Sequence, residues 1–336
     1  MKITIHRGTK QIGGTCLEIK TDCVRVIFDI GEELPNIGEK KYVQKKLFVD
    51  GLFEDSPTNE WPIEAVFISH YHNDHIGLIK NIRKEIPIYI GNTTSDIYNK
   101  ICDFTDDENK IFSYNFLEHD KTITLYDLNI TPFLVDHSAY DSYAFLIEDK
   151  IEKIVYTGDF RIHGSRQTLT NELMNKLNKK NIDILITEGT NLYKDNFFAK
   201  SEKEISDLSL EFMQSIKCNI FVLQSATNID RFYEVYKACQ KSNRTMVIDI
   251  FAAHILNILN DKNIENIKIF YPLNLTSRMF KKVGGEKLMY KFSHRKISKE
   301  QLKTRNDLCI LIRESMYFDL IKNRFNTLNG GLIYSK

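Results

Sequence analysis

The chain has 336 residues, a length that suggests two domains and permits a substantial core. Apolar residues at 42% and charged residues at 27% describe a soluble globular protein and exclude a disordered one. A net charge of +1 excludes global basicity as an argument for nucleic acid, although a local patch remains open. The six scattered cysteines indicate reduced thiols. Because there is no signal core and no apolar run approaches the roughly 20 residues of a membrane span, we expect a cytoplasmic protein.

Three short strands are predicted at the beginning of the chain. The alternating residues 3–6 are followed by the glycine pair at 13–14 and by apolar runs at 15–19 and 24–29. The last run ends in Asp29, with a glycine two residues later. By itself, an Asp-x-Gly of this kind is most often only a turn.

The densest group of metal-binding side chains follows the next predicted strand. Residues 65–68 form a short apolar run typical of a buried strand, and helical spacing returns soon afterwards. The loop between them contains His70, His72, Asp74 and His75. Alternate residues near a strand end point the same way, so the first two histidines can converge on one ion while the other two side chains turn towards a second position. These ligands suit zinc, manganese or iron; the alternative is a polar surface loop.

Two later strands end in further potential ligands. The run 130–135 leads to His137, and the run 153–157 leads to Asp159. A lone histidine after a strand is more often a surface or core residue than a ligand. Two metal sites need more ligands than one loop provides, however, and a carboxylate such as Asp159 can bridge two ions. His163 follows shortly and is interpreted as a structural histidine or one that supports a ligand.

From about residue 195 the pattern changes from paired strands to alternating helices and strands. Apolar periodicity predicts a helix over 202–216 and a strand at 219–223, and the alternation continues from there. This rhythm predicts a parallel sheet with covering helices. We therefore expect a second, small α/β domain.

Two segments of this second half contain candidate contacts to a phosphate backbone. One is a turn that contains Ser225, Asn228 and Arg231, at which a phosphate could bind the free amides of a helix. Ordinary helix capping is the alternative there. The other is the basic stretch 281–305, whose lysines and arginines interleave with aromatic residues and suit a single-stranded nucleic acid. A solvated helix face is the alternative for that stretch.

The pattern His-x-His-x-Asp-His at residues 70–75 resembles the metal-binding motif of the metallo-β-lactamase superfamily. Asp29, His137 and Asp159 stand in the order of that superfamily's other motifs. The resemblance implies an α/β fold, the αββα metallo-β-lactamase sandwich. It also implies that Asp29 supports the metal loop by hydrogen bonding and does not bind metal.

Two turns further along the chain resemble motifs of the β-CASP branch, the nucleases related to ribonuclease J and to the messenger-RNA 3′-end processing endonucleases. They are the turn at Glu188 and the turn that begins at Ser225. The branch carries an inserted small α/β cap domain. We therefore expect a metallo-β-lactamase-like domain at 1–194, a β-CASP-like cap domain at 195–325, and at 326–336 the start of an apparently truncated return to the lactamase domain.

The resemblance implies a zinc-dependent metallo-hydrolase of phosphodiesters, a ribonuclease that acts on single-stranded RNA through a hydroxide activated by two metals. Two zinc ions are the implied cofactors, with manganese as the alternative. RNA is the implied partner, no membrane is expected, and a homodimer is left open. The implied site consists of metal ligands His70, His72, Asp74, His75, His137 and Asp159, catalytic Asp74 and Glu188, substrate contacts Ser225, Asn228 and Arg231, and supporting Asp29 and His163.

The chain departs from the family pattern in its last part. Two further histidine motifs are expected after the cap domain, and no histidine follows Ser315. Loss of a general acid typically costs about 10²–10⁴-fold in rate. A second hypothesis is therefore a truncated or degenerate family member that is catalytically weak and acts as a binding or regulatory protein. A third is hydrolysis of a small ester or thioester, because the histidine motif is shared across the superfamily.

Overall fold

The computed structural model describes residues 1–34, 46–58, 60, 62–105, 110–190, 200–264, 266–322, 324–327 and 329–335. The chain forms two compact units: the first comprises Met1–Asn99 and Asn109–Phe198, and the second Lys100–Glu108 and Ala199–Lys336. The expected domain boundary at 194 lies outside the described residues. In the ranges that are described, no helix is long and apolar enough to cross a bilayer.

The first unit contains two sheets that pack face to face. Phe28 and Phe145, one from each sheet, are fully buried, and their ring centroids lie 5.1 Å apart. Burial of such side chains, at about 1.5–3 kcal/mol each, stabilises the sandwich. In spatial order, one sheet contains β1 (Lys2–Arg7), β2 (Cys16–Lys20), β3 (Arg25–Phe28), β4 (Ala65–Phe67), β5 (Ile88–Gly91) and β6 (Asn115–Leu117). The other contains β7 (Ile123–Leu125), β8 (Leu128–Val135), β9 (Ser142–Glu148), β10 (Lys153–Tyr156) and β11 (Ile184–Ile186).

Strand β8 shows how the sequence gives this layered arrangement. Its residues alternate, so that Ile130 faces the core between the sheets while Phe133 and Val135 face outwards. Leu173 of a helix packs against the outward residues and covers that face. The helices that begin in this unit are α1 (Asn73–Ile76), α2 (Asn92–Phe104) and α3 (Gln167–Leu177).

The second unit is built on a five-stranded sheet in which all neighbouring strands run parallel. Its strands are β12 (Ile220–Leu223), β13 (Thr245–Asp249), β14 (Lys268–Phe270), β15 (Leu308–Ile312) and β16 (Gly331–Tyr334), in the spatial order β14-β13-β15-β12-β16. Its helices are α4 (Glu202–Ser215), α5 (Ile229–Lys241), α6 (Ile250–Asn257), α7 (Leu273–Lys281), α8 (Gly285–Tyr290), α9 (Lys299–Thr304) and α10 (Tyr317–Ile321). The parallel sheet with intervening helices has the form that the sequence rhythm predicts.

The last strand lies in a different place from the one expected. Residues 326–336 were expected to begin a return to the lactamase domain, but β16 pairs with β12 in the sheet of the second unit. Gly331 permits this pairing, because a Cβ at that position would lie 2.8 Å from the Phe212 ring.

Candidate metal centre

The histidine loop is anchored between two strands and a short helix. Backbone hydrogen bonds join Asp29 N to Phe67 O and Ile68 N to Tyr89 O, at 2.9 Å each, so the end of β4 is fixed on both sides. The His72 carbonyl then accepts from the N–H of His75 at 2.9 Å, which starts the turn of α1. This turn separates the loop into a strand-like part with two histidines and a helical part with Asp74 and His75.

Three imidazoles form the first donor group. His70 Nε2 lies 3.1 Å from His72 Nδ1, and His137 Nε2 lies 3.2 Å from the same His72 atom. Burial lowers the pKa of His70 and of His72, and burial together with the neighbouring His72 lowers the pKa of His137 to about 3. All three rings are therefore neutral at pH 7, which is the form that binds metal.

A second group combines imidazole and carboxylate. Ligand atoms of His70, His75 and Asp159 all lie within 4.8 Å of one another. His75 Nε2 is 3.2 Å from Asp159 Oδ1, and Asp159 Oδ2 is 3.8 Å from His137 Nε2, so this carboxylate lies between the two groups. Asp74 Oδ2 is 3.9 Å from His75 Nε2, at the edge of the second group.

Asp29 is fully buried and collects hydrogen bonds from the histidine loop. Its carboxylate accepts from Ser69 N at 2.7 Å, from Ser69 Oγ at 2.8 Å and from His75 Nδ1 at 2.8 Å, and the Tyr156 hydroxyl donates to it as well. His70 Nδ1 lies 3.0 Å from Ser69 Oγ. Because these contacts engage Nδ1 of both histidines, their Nε2 atoms face the donor groups.

The electrostatic potential at His75 favours a cation. Burial acts to lower the pKa of His75, but Asp29 and Asp159 outweigh it and raise the pKa well above its usual value. Burial acts to raise the pKa of Asp159, but the hydrogen bond from His75 and the charge interactions with the neighbouring histidines together lower it to about 2. The negative potential that holds a proton on His75 also favours a metal cation in its place. The donor set of neutral imidazoles and ionised carboxylate therefore fits metal ions.

The loop that contains His137 is held by two arginines. Arg161 Nε donates to the fully buried Asp136 at 2.8 Å. Arg166 donates to the carbonyls of His137 and Ala139 at 3.2 and 3.3 Å. These contacts fix the backbone on both sides of the His137 side chain.

Gly31 explains why the Asp-x-Gly turn lies against the histidine loop. A Cβ at Gly31 would lie 1.6 Å from the Asp74 carbonyl oxygen, and that approach is possible only for glycine. The neighbouring Ile30 N donates to His75 O at 2.8 Å. The turn therefore packs directly on the backbone of the potential ligands.

The other predicted site residues lie in different surroundings. Glu188 Oε1 accepts from Phe160 N at 3.3 Å, and burial followed by Asp159 raises its pKa, so it adjoins the segment after β10. His163 is half-buried and belongs to neither donor group. Their predicted roles stay predictions.

The turn in the second unit is engaged in structural contacts. The Asn228 side chain caps α5 by accepting from Arg231 N at 3.3 Å. The Arg231 guanidinium forms a bidentate pair with buried Glu202, at 2.6 and 3.1 Å. Ser225 Oγ lies 2.9 Å from the Thr227 hydroxyl. These contacts correspond to the capping alternative, and the prediction of substrate contact remains a prediction.

Among the supporting residues that the sequence does not identify are Ser69, Tyr156, Arg161 and Arg166. Ser69 directly precedes the first histidine, and Tyr156 lies three residues before Asp159. Their closeness in sequence to predicted ligands is the only feature of the sequence that points to a supporting role. The arginines contact residues 25 to 29 positions away, for which the sequence offered no signal.

Comparison with known proteins agrees with this fold. Residues 51–213 match the family described as a beta-lactamase superfamily domain. A crystal structure of a protein of unknown function from Enterococcus faecalis V583 has a TM-score of 0.75 and 19% sequence identity, and covers 99% of this chain and 87% of that chain. In its fold and site the chain is similar to proteins of the metallo-β-lactamase superfamily.

Within that fold the chain is ribonuclease J-like. It is 24% identical over 258 residues to Ribonuclease J of Mycoplasma genitalium, which covers 74% of this chain and 43% of the relative. It is 26% identical over 259 residues to Ribonuclease J of Helicobacter pylori, and the match covers 74% of this chain and 36% of that relative. "Probable RNase MJ4" of Methanocaldococcus jannaschii is 25% identical over 359 residues, and the match covers 99% of this chain and 72% of that relative. The chain thus spans less than half the length of the first two relatives.

Proposed function

We propose that this chain is a metal-dependent hydrolase that cleaves phosphodiester bonds in single-stranded RNA, with two zinc ions as cofactors and manganese as the alternative. The observation that carries the proposal is the pair of adjacent donor groups. Asp159 belongs to the second group, and its carboxylate also lies close to His137 of the first. The relatives named as ribonucleases support RNA as the substrate. The donor chemistry supports zinc, which binds imidazole nitrogen and carboxylate oxygen.

In this proposal each side chain has a defined task. His70, His72 and His137 would hold one ion, and Asp74, His75 and Asp159 the other, with Asp159 shared. Two bound ions would supply a hydroxide at neutral pH and positive charge beside the attacked phosphate.

Other residues would orient these ligands and the reacting groups. Asp29 keeps His75 oriented through its Nδ1 hydrogen bond. Asp74, at the edge of the second group, would orient the attacking hydroxide by accepting its hydrogen bond. Glu188, whose carboxylate accepts from Phe160 N, would act as a further catalytic residue in the same cleavage.

The test compares metal content and RNA cleavage in the wild type and two variants. His72→Ala removes the nitrogen that faces both His70 and His137, so we expect loss of one bound metal and at least a hundredfold loss of cleavage of a labelled single-stranded RNA. His119→Asn is the control, because it keeps an acceptor for the Leu134 N–H. It should retain both properties.

Three outcomes separate the hypotheses. Wild-type protein without stoichiometric metal would overturn the proposal. Stoichiometric metal without turnover would favour the binding or regulatory protein. Faster hydrolysis of small chromogenic esters than of RNA would favour the small-ester hydrolase.

A further inference from the structure

Two neighbouring helices of the second unit present aromatic rings to solvent. Phe280 is the second-last residue of α7 and is 47% exposed. Tyr290 is the last residue of α8 and is 59% exposed. Their ring centroids lie 5.9 Å apart at an interplanar angle of 70°. Phenyl and phenol rings normally bury their surface, so a contacting pair that remains exposed indicates a surface available for binding.

The packing of the two helices explains why the rings face outwards. Met279 and Met289 are buried, and each precedes one of the rings in the sequence. Successive residues of a helix point about 100° apart, so burial of the methionines turns the rings towards solvent. Val283, in the connection, is fully exposed. The exposed rings therefore follow from the core contacts of these helices.

Exposed lysines lie close to the two aromatic residues in the sequence. The exposed residues Lys281, Lys287 and Lys291 flank them, and Glu286 is the exposed acidic residue in the same segment. Within the described part of the chain, Lys281 and Lys287 make no ion pair, and Lys291 lies 5.5 Å from the buried Phe292 ring. We call Phe280, Lys281, Val283, Lys287, Tyr290 and Lys291 the aromatic–basic surface.

We infer that the aromatic–basic surface binds single-stranded RNA, with bases stacked on Phe280 and Tyr290 and phosphates next to the lysines. Unpaired bases offer π-faces to exposed rings, while the backbone supplies regularly spaced negative charge. A duplex keeps its bases stacked internally and offers only phosphates. The inference takes its partner from the proposed function but does not depend on catalysis.

The experiment measures binding while cleavage is blocked. Fluorescence anisotropy of a labelled 20-nucleotide oligouridylate is recorded in EDTA with the full chain. Loss of a stacked base costs about 5- to 150-fold in affinity, so we expect Phe280→Ala/Tyr290→Ala to raise Kd at least tenfold. Lys281→Ala/Lys287→Ala should reduce the salt slope of log K by about 1.4, because each of the two phosphate contacts on a single strand contributes about 0.7.

A second exposed aromatic pair in the same unit provides the matched control. Tyr317 is 54% exposed, and its ring lies 4.7 Å from that of Phe318. The exposed charged residues nearby, Glu314 and Lys322, have opposite signs, and Asp319 is buried and paired with Arg324, so this pair lacks the excess of exposed lysines. Tyr317→Ala should leave Kd within twofold of wild type, whereas Tyr290→Ala alone should raise it. Circular dichroism melting verifies that all variants are folded.

The outcomes distinguish this inference from the proposed function. If the folded Phe280→Ala/Tyr290→Ala variant keeps the wild-type RNA affinity, the aromatic–basic surface does not bind RNA, whatever the cleavage assay shows. Equal weakening by Tyr317→Ala, or equal competition by duplex RNA or polyglutamate, also overturns the inference, since stacking would then not determine binding. A selective loss of binding supports the surface even if the wild type with metal restored cleaves no RNA.

Discussion

The Tyr71 hydroxyl accepts the backbone N–H of Tyr140 at 2.8 Å and thereby joins the histidine loop to the loop that contains His137. Tyr71 is buried and its ring lies 5.6 Å from that of His72. The Arg166 guanidinium carbon lies over the Tyr140 ring, 4.5 Å from its centroid. The distance between two ligand-bearing loops is therefore set by a tyrosine that is itself no ligand.

Tyr71→Phe should weaken metal binding without unfolding the first unit. The ring and its packing remain, but Tyr140 N–H loses its acceptor, so His137 is held less firmly. Removal of such a supporting contact typically weakens metal affinity by about 10- to 100-fold. Competition with a chromophoric chelator measures the affinity, and the absorption of bound Co²⁺ reports its coordination. Tyr89→Phe, which preserves the stacking on Phe67, is the control; equal affinities for the two variants would refute the prediction.

Asp29→Asn should destabilise the first unit even when metal is absent. The carboxylate accepts from Ser69, His75 and Tyr156, and an amide nitrogen would face one of these donors. Hydrogen bonds to a buried charge contribute about 1.5–3 kcal/mol each, so we expect a loss of about 2–4 kcal/mol in the free energy of unfolding.

Urea unfolding in EDTA measures the effect of Asp29→Asn directly. Asp120→Asn, at an exposed ion pair with Lys176, should change stability by less than about 0.5 kcal/mol. A similarly small effect at Asp29 would show that the carboxylate does not organise the loop.

Gln224→Met should stabilise the second unit. Gln224 follows β12 and is buried, and neither atom of its carboxamide has a hydrogen-bond partner among the described residues. A buried amide without partners costs about 1–3 kcal/mol, whereas methionine has a similar volume and no such requirement. We expect the free energy of unfolding, measured by heat or urea, to increase by about 1 kcal/mol. Gln214→Met, at an exposed position, should leave it unchanged. A decrease would mean that the amide is hydrogen-bonded in solution.

His254 should make the second unit less stable as the pH falls. Burial lowers its pKa to about 4, and its Nε2 lies 2.9 Å from Leu288 O, to which the neutral ring donates. Above pH 6.5 the ring is neutral in both the folded and unfolded chain. Between pH 6.5 and 4 the unfolded chain binds a proton that the folded one does not, so folding loses up to about 3 kcal/mol.

The measurement for His254 is the unfolding free energy at pH 7, 6 and 5 in the wild type and in His254→Gln. Glutamine can still donate to Leu288 O but does not titrate, so the variant should lack the histidine-dependent part of the decrease. Parallel curves for the two proteins would assign the decrease to other groups.

The sequence was most informative where local pattern and chemistry coincide. The strands around the histidine loop could be predicted because a buried apolar run, a polar loop and helical spacing follow one another within residues 65–82. Helix α3 and strand β14 were missed. The three-residue β14 is too short to show a period, and the burial of α3 depends on contacts with β8.

Contacts between residues that are far apart in the sequence determine features that local sequence patterns do not predict. Arg231, for which a phosphate contact stays a prediction, pairs with Glu202, 29 residues away, and no local pattern reveals that partner. The sequence pattern predicts that the aromatic residues of the basic stretch face the nucleic acid, yet Phe292 is buried, while Tyr290 two positions earlier is exposed. Which face of a short helix is buried is set by its neighbours in space.

The segment Lys100–Glu108 belongs to the second unit although both flanking segments belong to the first. Phe104 is buried there, with its ring 5.3 Å from Phe251. On the ribosome, Phe104 emerges well before Phe251, a delay of roughly ten seconds at about 5–20 residues per second. The nascent first unit must therefore display an unburied phenylalanine during this interval. We expect chaperone binding to concentrate on this segment during synthesis, and an isolated first unit to aggregate through it.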